Sequence, residues 1–245
     1  MRIEVFFTPP EGYPTSLQDA TVAVVDVVRA TTSMVEALAH GARAVFPVVA
    51  TEDAVRLAVS LGREDTLLCG ERRGEKVEGF DLGNSPREYG PDVVADKRLV
   101  WSTTNGTRAF AAAGEAGRVV AAAFTNLSAC AREVADTEHV VVQCAGRLGR
   151  FALEDALCAG YLVNRLVESR DAVGETRPEL DDAARAARAL AQAVEPTQAF
   201  LASTEGGAKL VEIGLGEDLA VCARVDHHDV VPELMDQALT LPARG

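Results

Sequence analysis

Apolar and polar residues follow two spacings along the chain, one typical of strands and one typical of helices. Short β-branched runs predict strands over residues 2–7, 21–28, 44–49, 66–69, 98–102, 118–122 and 139–144. Apolar positions at helical spacing predict helices over residues 32–40, 51–61, 107–114, 126–135 and 153–168. The runs VAVVDVV and HVVVQC are apolar on both faces, as in strands covered by helices on both sides. We therefore expect a layered α/β/α fold around a largely parallel or mixed sheet.

The pattern changes after residue 170. Residues 171–182 are polar, and an alanine-rich amphipathic helix follows, with Asp181 or Asp182 as its N-cap. The segments expected beyond it are a helix near 197–203, a turn at Gly206-Gly207, a short helix that ends at 214–216 and a strand over 219–225. We predict a main domain over residues 1–170 with all the motif loops. Residues 171–245 then pack on it as a second lobe or as part of a single domain.

Composition and charge exclude several classes of protein. The formal charge of -13 argues against non-specific nucleic-acid binding, which needs a basic face. No apolar run approaches the roughly 20 residues of a membrane span, and the first ten residues lack the layout of a signal peptide, so we expect a cytoplasmic protein with no membrane partner. The five cysteines are widely spaced and indicate neither a disulfide framework nor a zinc site. A second copy of the chain, as in a homodimer, is a candidate partner.

A polar segment at residues 26–33 joins a predicted strand to a predicted helix. Asp26 ends the strand, Arg29 follows it, and Thr31 and Thr32 begin the helix. The first turn of a helix has unpaired N–H groups and a positive dipole end, so this elbow could bind a phosphate, with Arg29 as a second donor and Asp26 toward a metal. Alternatively, a threonine only caps the helix and Arg29 pairs with a surface acid.

The glycine-rich stretch over residues 70–86 predicts an ordered, charged loop. It offers Glu71, Glu78 and Asp81 as oxygen ligands for a cation. Candidate anion contacts in the same loop are Arg72, Lys76 and Asn84. This mixture suits a magnesium-phosphate site. The alternative is a mobile solvated loop, which the apolar Phe80 within the charged stretch disfavours.

A second hydroxyl-rich turn follows the predicted strand over 98–102. Its residues are Thr103, Thr104, Asn105, Gly106 and Thr107. Like the first elbow, it would present backbone N–H groups to an anion. It does not match the phosphate loop of nucleotide-binding proteins, so no nucleotide is implied. By itself, the Asn-Gly pair also fits an ordinary tight turn.

The segment CAGRLGRFALED supports two interpretations. Cys144 and Arg150 have the spacing of cysteine-dependent phosphatases, but those enzymes follow the arginine with Ser or Thr, and here a phenylalanine follows. In the other interpretation, a glycine-rich turn presents Arg147 or Arg150 to an anion. Glu154 and Asp155 then begin a helix, where they either face a metal or simply suit the helix dipole.

The four histidines are interpreted as structural or exposed. His227 and His228 lie within a DHHD stretch that resembles a set of metal ligands. Adjacent side chains of a strand point to opposite faces, so at most one of these histidines could serve a given site, and a surface loop is favoured. His40 and His139 are isolated and are interpreted as structural.

Five segments in order resemble one family. They are VVDVVRATTS, GERRGEKVEGFDLGNSP, STTNGTRA, AAFTNLSA and CAGRLGRFALEDALCAG. Together they resemble the 2-phosphosulfolactate phosphatases of coenzyme M biosynthesis, over most of residues 1–165 and more weakly beyond. The resemblance implies a family-specific layered α/β fold and a magnesium-dependent phosphomonoester hydrolase that acts on (2R)-2-phospho-3-sulfolactate. Because members also occur outside methane-producing organisms, a different phosphorylated hydroxy acid stays open as the substrate.

The resemblance also implies a set of site residues. The positions that match the family's motifs are Asp26, Arg29, Thr31, Thr32, Glu71, Glu78, Asp81, Asn84, Ser85, Thr103, Thr104, Asn105, Gly106, Thr107, Asn126, Arg147, Arg150, Glu154 and Asp155. One departure is Ala152, where a hydroxyl residue is expected before Leu-Glu-Asp. A hydrogen bond to the substrate is therefore not expected at that position.

We expect metal-assisted hydrolysis. Mg²⁺ is predicted to bind Asp26 together with one or two of Glu71, Glu78 and Asp81. Arg29, Asn105 and the two threonine-rich elbows are expected to stabilise the transferring phosphoryl group, where most catalysis of phosphoryl transfer arises. Arg147 or Arg150 would then bind the carboxylate or sulfonate of a small anionic phosphorylated hydroxy acid.

Three alternatives accompany this mechanism. A covalent route through Asp26 is less favoured than attack by water, because Val28 stands where aspartyl-phosphate enzymes carry a second aspartate. A cysteine-dependent phosphatase would use Cys144 and Arg150. A non-enzymatic protein that binds an anionic metabolite would need the cations but no metal-binding carboxylates.

Overall fold

The computed structural model describes residues 1–13, 16–172, 174 and 176–242. Their strands are β1 (Arg2–Phe6), β2 (Thr21–Val25), β3 (Ala44–Pro47), β4 (Thr66–Arg72), β5 (Glu75–Lys76), β6 (Arg98–Ser102), β7 (Arg118–Ala122), β8 (His139–Cys144), β9 (Glu179–Leu180), β10 (Glu233–Met235) and β11 (Ala238–Thr240). Their helices are α1 (Ala30–Ala39), α2 (Thr51–Leu61), α3 (Pro91–Val94), α4 (Gly106–Ala113), α5 (Leu127–Glu133), α6 (Leu153–Ala172), α7 (Asp182–Ala193), α8 (Gln198–Ser203), α9 (Glu205–Glu212) and α10 (Asp218–Cys222). Single 3-10 turns lie at Pro86–Glu88 and Phe124–Asn126.

Within these residues, eleven strands form one mixed sheet in the order β5-β4-β6-β3-β11-β10-β7-β2-β8-β1-β9. Two parallel sets, β4-β6-β3 and β7-β2-β8-β1-β9, are joined by the β10–β11 hairpin, which pairs antiparallel with β7 and with β3. The edge strands β5 and β9 have two residues each, which leaves little unpaired backbone at the two edges. The layered α/β fold with a mixed sheet is thereby confirmed.

The central strand β2 shows why both faces of the sheet are covered. Val22 and Val24 pack with α1 and α4 on one face, whereas Ala23 and Val25 pack with α5, α6 and α7 on the other. Successive side chains of a strand point to opposite faces, so a run that is apolar at every position needs helices on both sides. Because the helices cover both faces of the sheet, a site is expected beyond the carboxyl ends of the parallel strands.

The amino-terminal strands and helices agree with the predicted ones, whereas two of the carboxyl-terminal predictions are wrong. Asp181 caps α7 by accepting from the Ala184 N–H at 2.7 Å. The expected strand over 219–225 is wrong: α10 occupies Asp218–Cys222 and buries Leu219 and Cys222 on one side. The expected turn at Gly206-Gly207 is also wrong, because α9 contains both glycines.

The β10–β11 hairpin was not predicted from the sequence. Its turn residues, Asp236 and Gln237, have φ of 49° and 68°, the backbone of a tight hairpin turn that usually carries Asn-Gly or Asp-Gly. Without a glycine, the turn leaves no clear signal. Since β9, β10 and β11 all lie in the same sheet as β1–β8, the segment after residue 170 supplies one edge strand and two central strands of the main sheet. The division of the chain near residue 170 stays a prediction.

No helix in the described part of the chain is both long enough and apolar enough to span a membrane.

Candidate active site

The carboxyl ends of β2, β4, β6 and β8 surround a cleft of about 470 Å³. Its lining residues are Asp26, Val28, Arg29, Glu71, Arg73, Gly74, Asn84, Thr104, Asn105, Gly146, Arg147, Leu148, Glu154, Asp155, Gly206, Lys209 and Leu210. The lining thus combines both predicted elbows, the glycine-rich loop, the segment after β8, and α9. The first four of these were identified from the sequence as carriers of chemistry, and α9 was not.

The threonines of the first elbow fold the backbone. The Thr31 hydroxyl donates to the Asp26 carbonyl at 2.9 Å, and the Thr32 hydroxyl donates to the Val27 carbonyl at 2.8 Å. Both residues are fully buried. The structure therefore does not place these hydroxyls in the cleft as phosphate contacts. They stabilise the backbone turn from which the Asp26 side chain points into the cleft. The Ala30 N–H donates to Asp26 Oδ1 at 3.2 Å.

The second elbow brings the N-terminus of α4 against Asp26. Thr103 and Thr107 bond to one another, with the Thr107 hydroxyl donating to the Thr103 carbonyl at 2.9 Å, so they too are structural. A Cβ atom at Gly106 would lie 2.7 Å from Asp26 Oδ2 and 2.5 Å from the Ala30 Cβ. Only glycine permits this approach of the two helix N-termini.

Asn105 and Thr104 hold neighbouring segments at the edge of the cleft. Asn105 Oδ1 accepts from the Leu148 N–H at 3.0 Å, which fastens the turn after β8 to the second elbow. The Thr104 N–H donates to Glu71 Oε1 at 2.7 Å. Glu71 also accepts from the Gly74 N–H at 2.6 Å, so its buried carboxylate orders the β4–β5 hairpin.

The predicted 70–86 loop is ordered, but only part of it reaches the cleft. Phe80 is buried against Ala54 and Val100, which contradicts the mobile-loop interpretation. Asp81 accepts from the Leu68 N–H at 2.7 Å and pairs with Arg63 at 2.9 Å, outside the cleft.

Among the loop's predicted metal ligands and anion contacts, Glu71 and Asn84 line the cleft, and Glu78 and Asp81 do not. Glu78 is exposed on the turn that precedes Phe80. Ser85 is buried and donates to Asp218 Oδ1 at 2.6 Å. The amide oxygen of Asn84 is buried and has no hydrogen-bond partner among the described residues.

Four buried carboxyl groups line the cleft, namely those of Asp26, Glu71, Glu154 and Asp155. Burial and then the charges of Glu71 and Glu154 raise the pKa of Asp26 to about 7, although the Ala30 N–H acts in the opposite sense. Burial also raises the pKa of Glu154. Burial followed by the charges of Asp26 and Glu154 raises the pKa of Asp155 well above its ordinary value.

Asp155 and Glu154 begin α6, and both acids have contacts beyond the helix dipole. Asp155 accepts from the Val27 N–H at 2.8 Å and from the Gly146 N–H at 3.1 Å, so it joins the first elbow to the segment after β8. Glu154 faces the cleft and the first turn of α9, where a Cβ at Gly206 would lie 2.2 Å from its Oε1. The glycine of α9 thus gives the Glu154 carboxylate its space.

Three cations other than Arg29 line the cleft. Arg147 was predicted; Arg73 and Lys209 were not. Neither the Arg73 nor the Arg147 side chain makes an ion pair with any residue that the structure describes, and Lys209 pairs with Glu212 at 2.7 Å. Arg150 is exposed outside the lining; its carbonyl accepts from the Arg147 N–H at 2.8 Å. The only advance signal for Lys209 was the rarity of lysine, since the chain has three.

Cys144 and Asn126 are two further predicted candidates that lie away from the cleft. Cys144 is fully buried, and burial raises the pKa of its thiol well above the ordinary value, so a reactive thiolate is not available there. The burial of Cys144 and its position outside the cleft lining argue against the cysteine-dependent alternative. Asn126 is buried: its Oδ1 accepts from the Ala123 N–H at 2.9 Å, and its Nδ2 donates to the Val230 carbonyl at 3.0 Å. Its role in this structure is to hold the carboxyl-terminal segment.

The DHHD stretch lies in an irregular segment, in agreement with the loop interpretation. Asp226 accepts from the Ser128 N–H at 2.6 Å, and His228 Nε2 lies 2.9 Å from Glu36 Oε1. His40 Nδ1 lies 2.8 Å from the Tyr89 carbonyl, and His139 Nε2 lies 2.7 Å from Glu4 Oε2. All of these contacts lie outside the cleft residues.

Helix N-termini, buried carboxylates and unpaired arginines at the carboxyl ends of parallel strands are typical of an α/β enzyme that acts on an anion. The 2-phosphosulpholactate phosphatase family model matches residues 7–237. A probable 2-phosphosulfolactate phosphatase of Thermotoga petrophila is 38% identical over 222 residues, which cover 90% of this chain and 92% of the relative. The corresponding protein of Clostridium novyi is 35% identical over 234 residues, with 95% and 97% covered. That of Pseudothermotoga lettingae is 38% identical over 236 residues, with 96% of each covered.

The chain belongs to the 2-phosphosulpholactate phosphatase family. It is accordingly a phosphatase, a hydrolase of phosphoric monoesters.

Proposed function

We propose that this phosphatase is magnesium-dependent and converts (2R)-2-phospho-3-sulfolactate and water to 3-sulfolactate and phosphate. The substrate is that of its relatives, which are named probable 2-phosphosulfolactate phosphatases. The observation that carries the proposal is the group of buried carboxyl groups that faces three cations across one cleft. For a phosphomonoester that carries a carboxylate and a sulfonate, the cations would bind the anionic groups and the carboxyl groups would bind a metal ion.

The charges of the cleft support a divalent cation. Asp26, Glu71, Glu154 and Asp155 would repel a substrate with three anionic groups, and Arg29 is already paired with a buried acid. A cation between the carboxylates and the phosphate removes this repulsion and restores the ionised form of acids whose pKa is raised.

The donor atoms present fit Mg²⁺. Asn84 Oδ1 is a buried acceptor without a partner, and Asp26 and Glu71 offer carboxylate oxygens in the same cleft. No group of three His, Cys, Asp or Glu side chains in the described ranges could by itself hold a metal. Mg²⁺ commonly takes one or two protein carboxylates and completes its shell with water and substrate phosphate. When bound, Mg²⁺ neutralises phosphate oxygens and lowers the pKa of water.

The protein residues then have distinct tasks. Asp26, Glu71 and Asn84 would hold the cation. Glu154, whose pKa burial raises above its ordinary value, is suited to accept the proton of the attacking water. The N–H groups at the start of α4 and the Arg147 guanidinium stabilise the charge of the transferring phosphoryl group.

Arg73 and Lys209 complete the assignment. Both line the cleft and lie on elements other than those that carry the acids Asp26 and Glu154, so they are suited to bind the carboxylate and sulfonate of the substrate. Direct attack by water is retained in place of a covalent route through Asp26. The cytoplasmic location, the homodimer and the lack of nucleic-acid and membrane partners stay predictions.

The test is phosphate release from 2-phosphosulfolactate and from phosphorylated hydroxy acids without a sulfonate. Each substrate is assayed with Mg²⁺, with EDTA, and with EDTA followed by excess Mg²⁺. We expect release only with Mg²⁺ and the highest kcat/KM for 2-phosphosulfolactate. Activity that survives EDTA contradicts the metal role. Tight binding of the same compounds without release would instead support an anion-binding protein.

A further inference from the structure

A buried acid of the carboxyl-terminal segment, Asp218, contacts both the first elbow at Arg29 and the glycine-rich loop at Ser85. Asp218 is the first residue of α10, and its side chain has no exposed surface. Its Oδ2 accepts from Arg29 Nη1 at 2.6 Å, and its Oδ1 accepts from the Ser85 hydroxyl at 2.6 Å. Arg29 and Asp218 are 189 positions apart in the chain. Neither the sequence motifs nor the family resemblance gave Asp218 a role.

The Arg29 guanidinium also contacts the turn between β4 and β5. Its Nη2 donates to the Gly74 carbonyl at 2.7 Å. The Gly74 N–H in turn donates to Glu71, one of the proposed metal ligands, at 2.6 Å. Ser85 directly follows Asn84, the other proposed ligand of the glycine-rich loop. Asp218 is therefore linked, through one or two hydrogen bonds each, to the elbow and to both ends of the loop.

The burial of this pair decides what its loss would do. The side chains of Arg29 and Asp218 are only 2% and 0% exposed. Removing one charge from a buried pair leaves the other uncompensated in a low-dielectric environment, whereas two apolar residues in their place can be equally stable. A guanidinium without its carboxylate would turn toward water or toward the nearest carboxylates, and those are the acids of the cleft. A buried pair here thus contributes orientation rather than net stability.

We propose that Asp218 is a positioning residue of the active site. It fixes the Arg29 guanidinium away from the acids of the cleft, and it holds the 71–85 loop in register with the elbow that carries Asp26. Anion binding then depends on an acid that touches neither substrate nor metal. This inference rests on the proposed site, and its test includes a measurement that does not need turnover.

The chain offers a matched control next to Asp218. Glu217 is the preceding residue and pairs with Arg87 at 2.6 Å, but its side chain is 77% exposed and outside the cleft lining. Asp218→Asn and Glu217→Gln remove the same charge at adjacent positions. Only the first is expected to disturb Arg29 and Ser85.

Inorganic phosphate is the probe for binding, titrated calorimetrically in the presence of Mg²⁺. We expect Asp218→Asn to weaken phosphate binding and to lower kcat/KM by about 100-fold, the scale of a misplaced positioning group. Glu217→Gln should stay within about twofold of the wild type on both measurements. Phosphate affinity of Asp218→Asn equal to that of the wild type, or no phosphate binding by the wild type, would overturn the inference.

A double-mutant cycle separates positioning from folding. If Asp218 acts through Arg29, Asp218→Asn lowers kcat/KM little further in an Arg29→Ala background. Independent, additive losses would contradict this. Should Asp218→Asn fail to fold, Asp218→Glu keeps the charge but displaces the carboxylate. A folded Asp218→Glu with wild-type kcat/KM then overturns the inference. Failure of the wild type to hydrolyse any phosphorylated hydroxy acid contradicts the proposed function alone.

Discussion

The α-carbon of Gly106 lies against the Asp26 carboxylate, so closely that a Cβ there would be 2.7 Å from Oδ2. The same Cβ would be 2.5 Å from the Ala30 Cβ, which belongs to the facing helix. The N-termini of α1 and α4 and the Asp26 carboxylate thus meet at Gly106, which has no side chain. Under the proposed function, this close approach would place the N–H groups at the start of α4 and the proposed metal ligand Asp26 beside the same phosphate.

The first prediction concerns this contact. Gly106→Ala should cost about 1–3 kcal/mol of unfolding free energy, because helix α4 must shift away from α1, and it should reduce kcat strongly. Thermal denaturation and steady-state kinetics measure the two effects. Gly114→Ala at the other end of the helix is the control, since its Cβ would meet the nearest atom at an ordinary 3.4 Å. Equal behaviour of both variants would argue against a packed catalytic contact.

The second prediction is a pH dependence of stability. The pKa of Asp26 is raised from 3.8 to about 7, so the folded protein binds this proton more tightly than the unfolded chain does. The resulting stability is complete below pH 4 and is lost as the pH rises through 7, a change of roughly 1 to 4 kcal/mol. In EDTA, the midpoint temperature of thermal denaturation should therefore decrease as the pH is raised from 5 to 8.

Asp26→Asn provides the matched variant for that titration. Its amide cannot ionise, so the fall in stability with pH should become smaller, and at pH 8 the variant should be more stable than the wild type in EDTA. Hydrolysis should be lost at the same time, because the neutral amide lacks the negative charge that the Asp26 carboxylate would supply to the cation. A wild-type midpoint that rises between pH 5 and pH 8 is incompatible with the raised pKa.

The third prediction tests Asn84 as a metal ligand. Because its buried amide oxygen lacks a partner, Asn84→Ala should change stability little and weaken Mg²⁺ activation about 10- to 100-fold. Titration of activity with Mg²⁺ and direct measurement of Mn²⁺ binding both report this change. Asn164→Ala, which removes a hydrogen bond to Arg188 on a different surface, is the control. If the two variants bind Mn²⁺ equally well, Asn84 is not a ligand.

The fourth prediction concerns Lys209. Its replacement by glutamine should raise KM for 2-phosphosulfolactate about tenfold, equal to about 1.4 kcal/mol, while kcat changes little. The effect should shrink with a substrate that lacks one of the two remote anions. Lys97→Gln, which removes an exposed pair with Asp65, should leave both constants unchanged. A loss confined to kcat would assign Lys209 to the chemical step instead.

The local part of the site could be predicted because its signals are local. Asp26 lies between β2 and α1, and Gly106 begins α4 shortly after β6. This order of strand, polar turn and helix can be read from hydrophobic spacing together with hydroxyl and glycine residues. The roles of the threonines could not be read in the same way. A threonine hydroxyl at a helix start can face an anion or donate to a nearby carbonyl, and only the folded backbone shows that Thr31 and Thr32 do the latter.

The sequence by itself determined the layered α/β fold, the family and the loops that follow β2, β6 and β8, because each depends on residues close together in the chain. The tertiary structure alone decided which acids share the cleft: Glu154 faces it, whereas Asp81 bonds to Leu68 and Arg63. It also decided that α9 and Asp218 join the site. Such contacts depend on how distant segments pack, and no periodicity within a segment encodes its partner across the sheet.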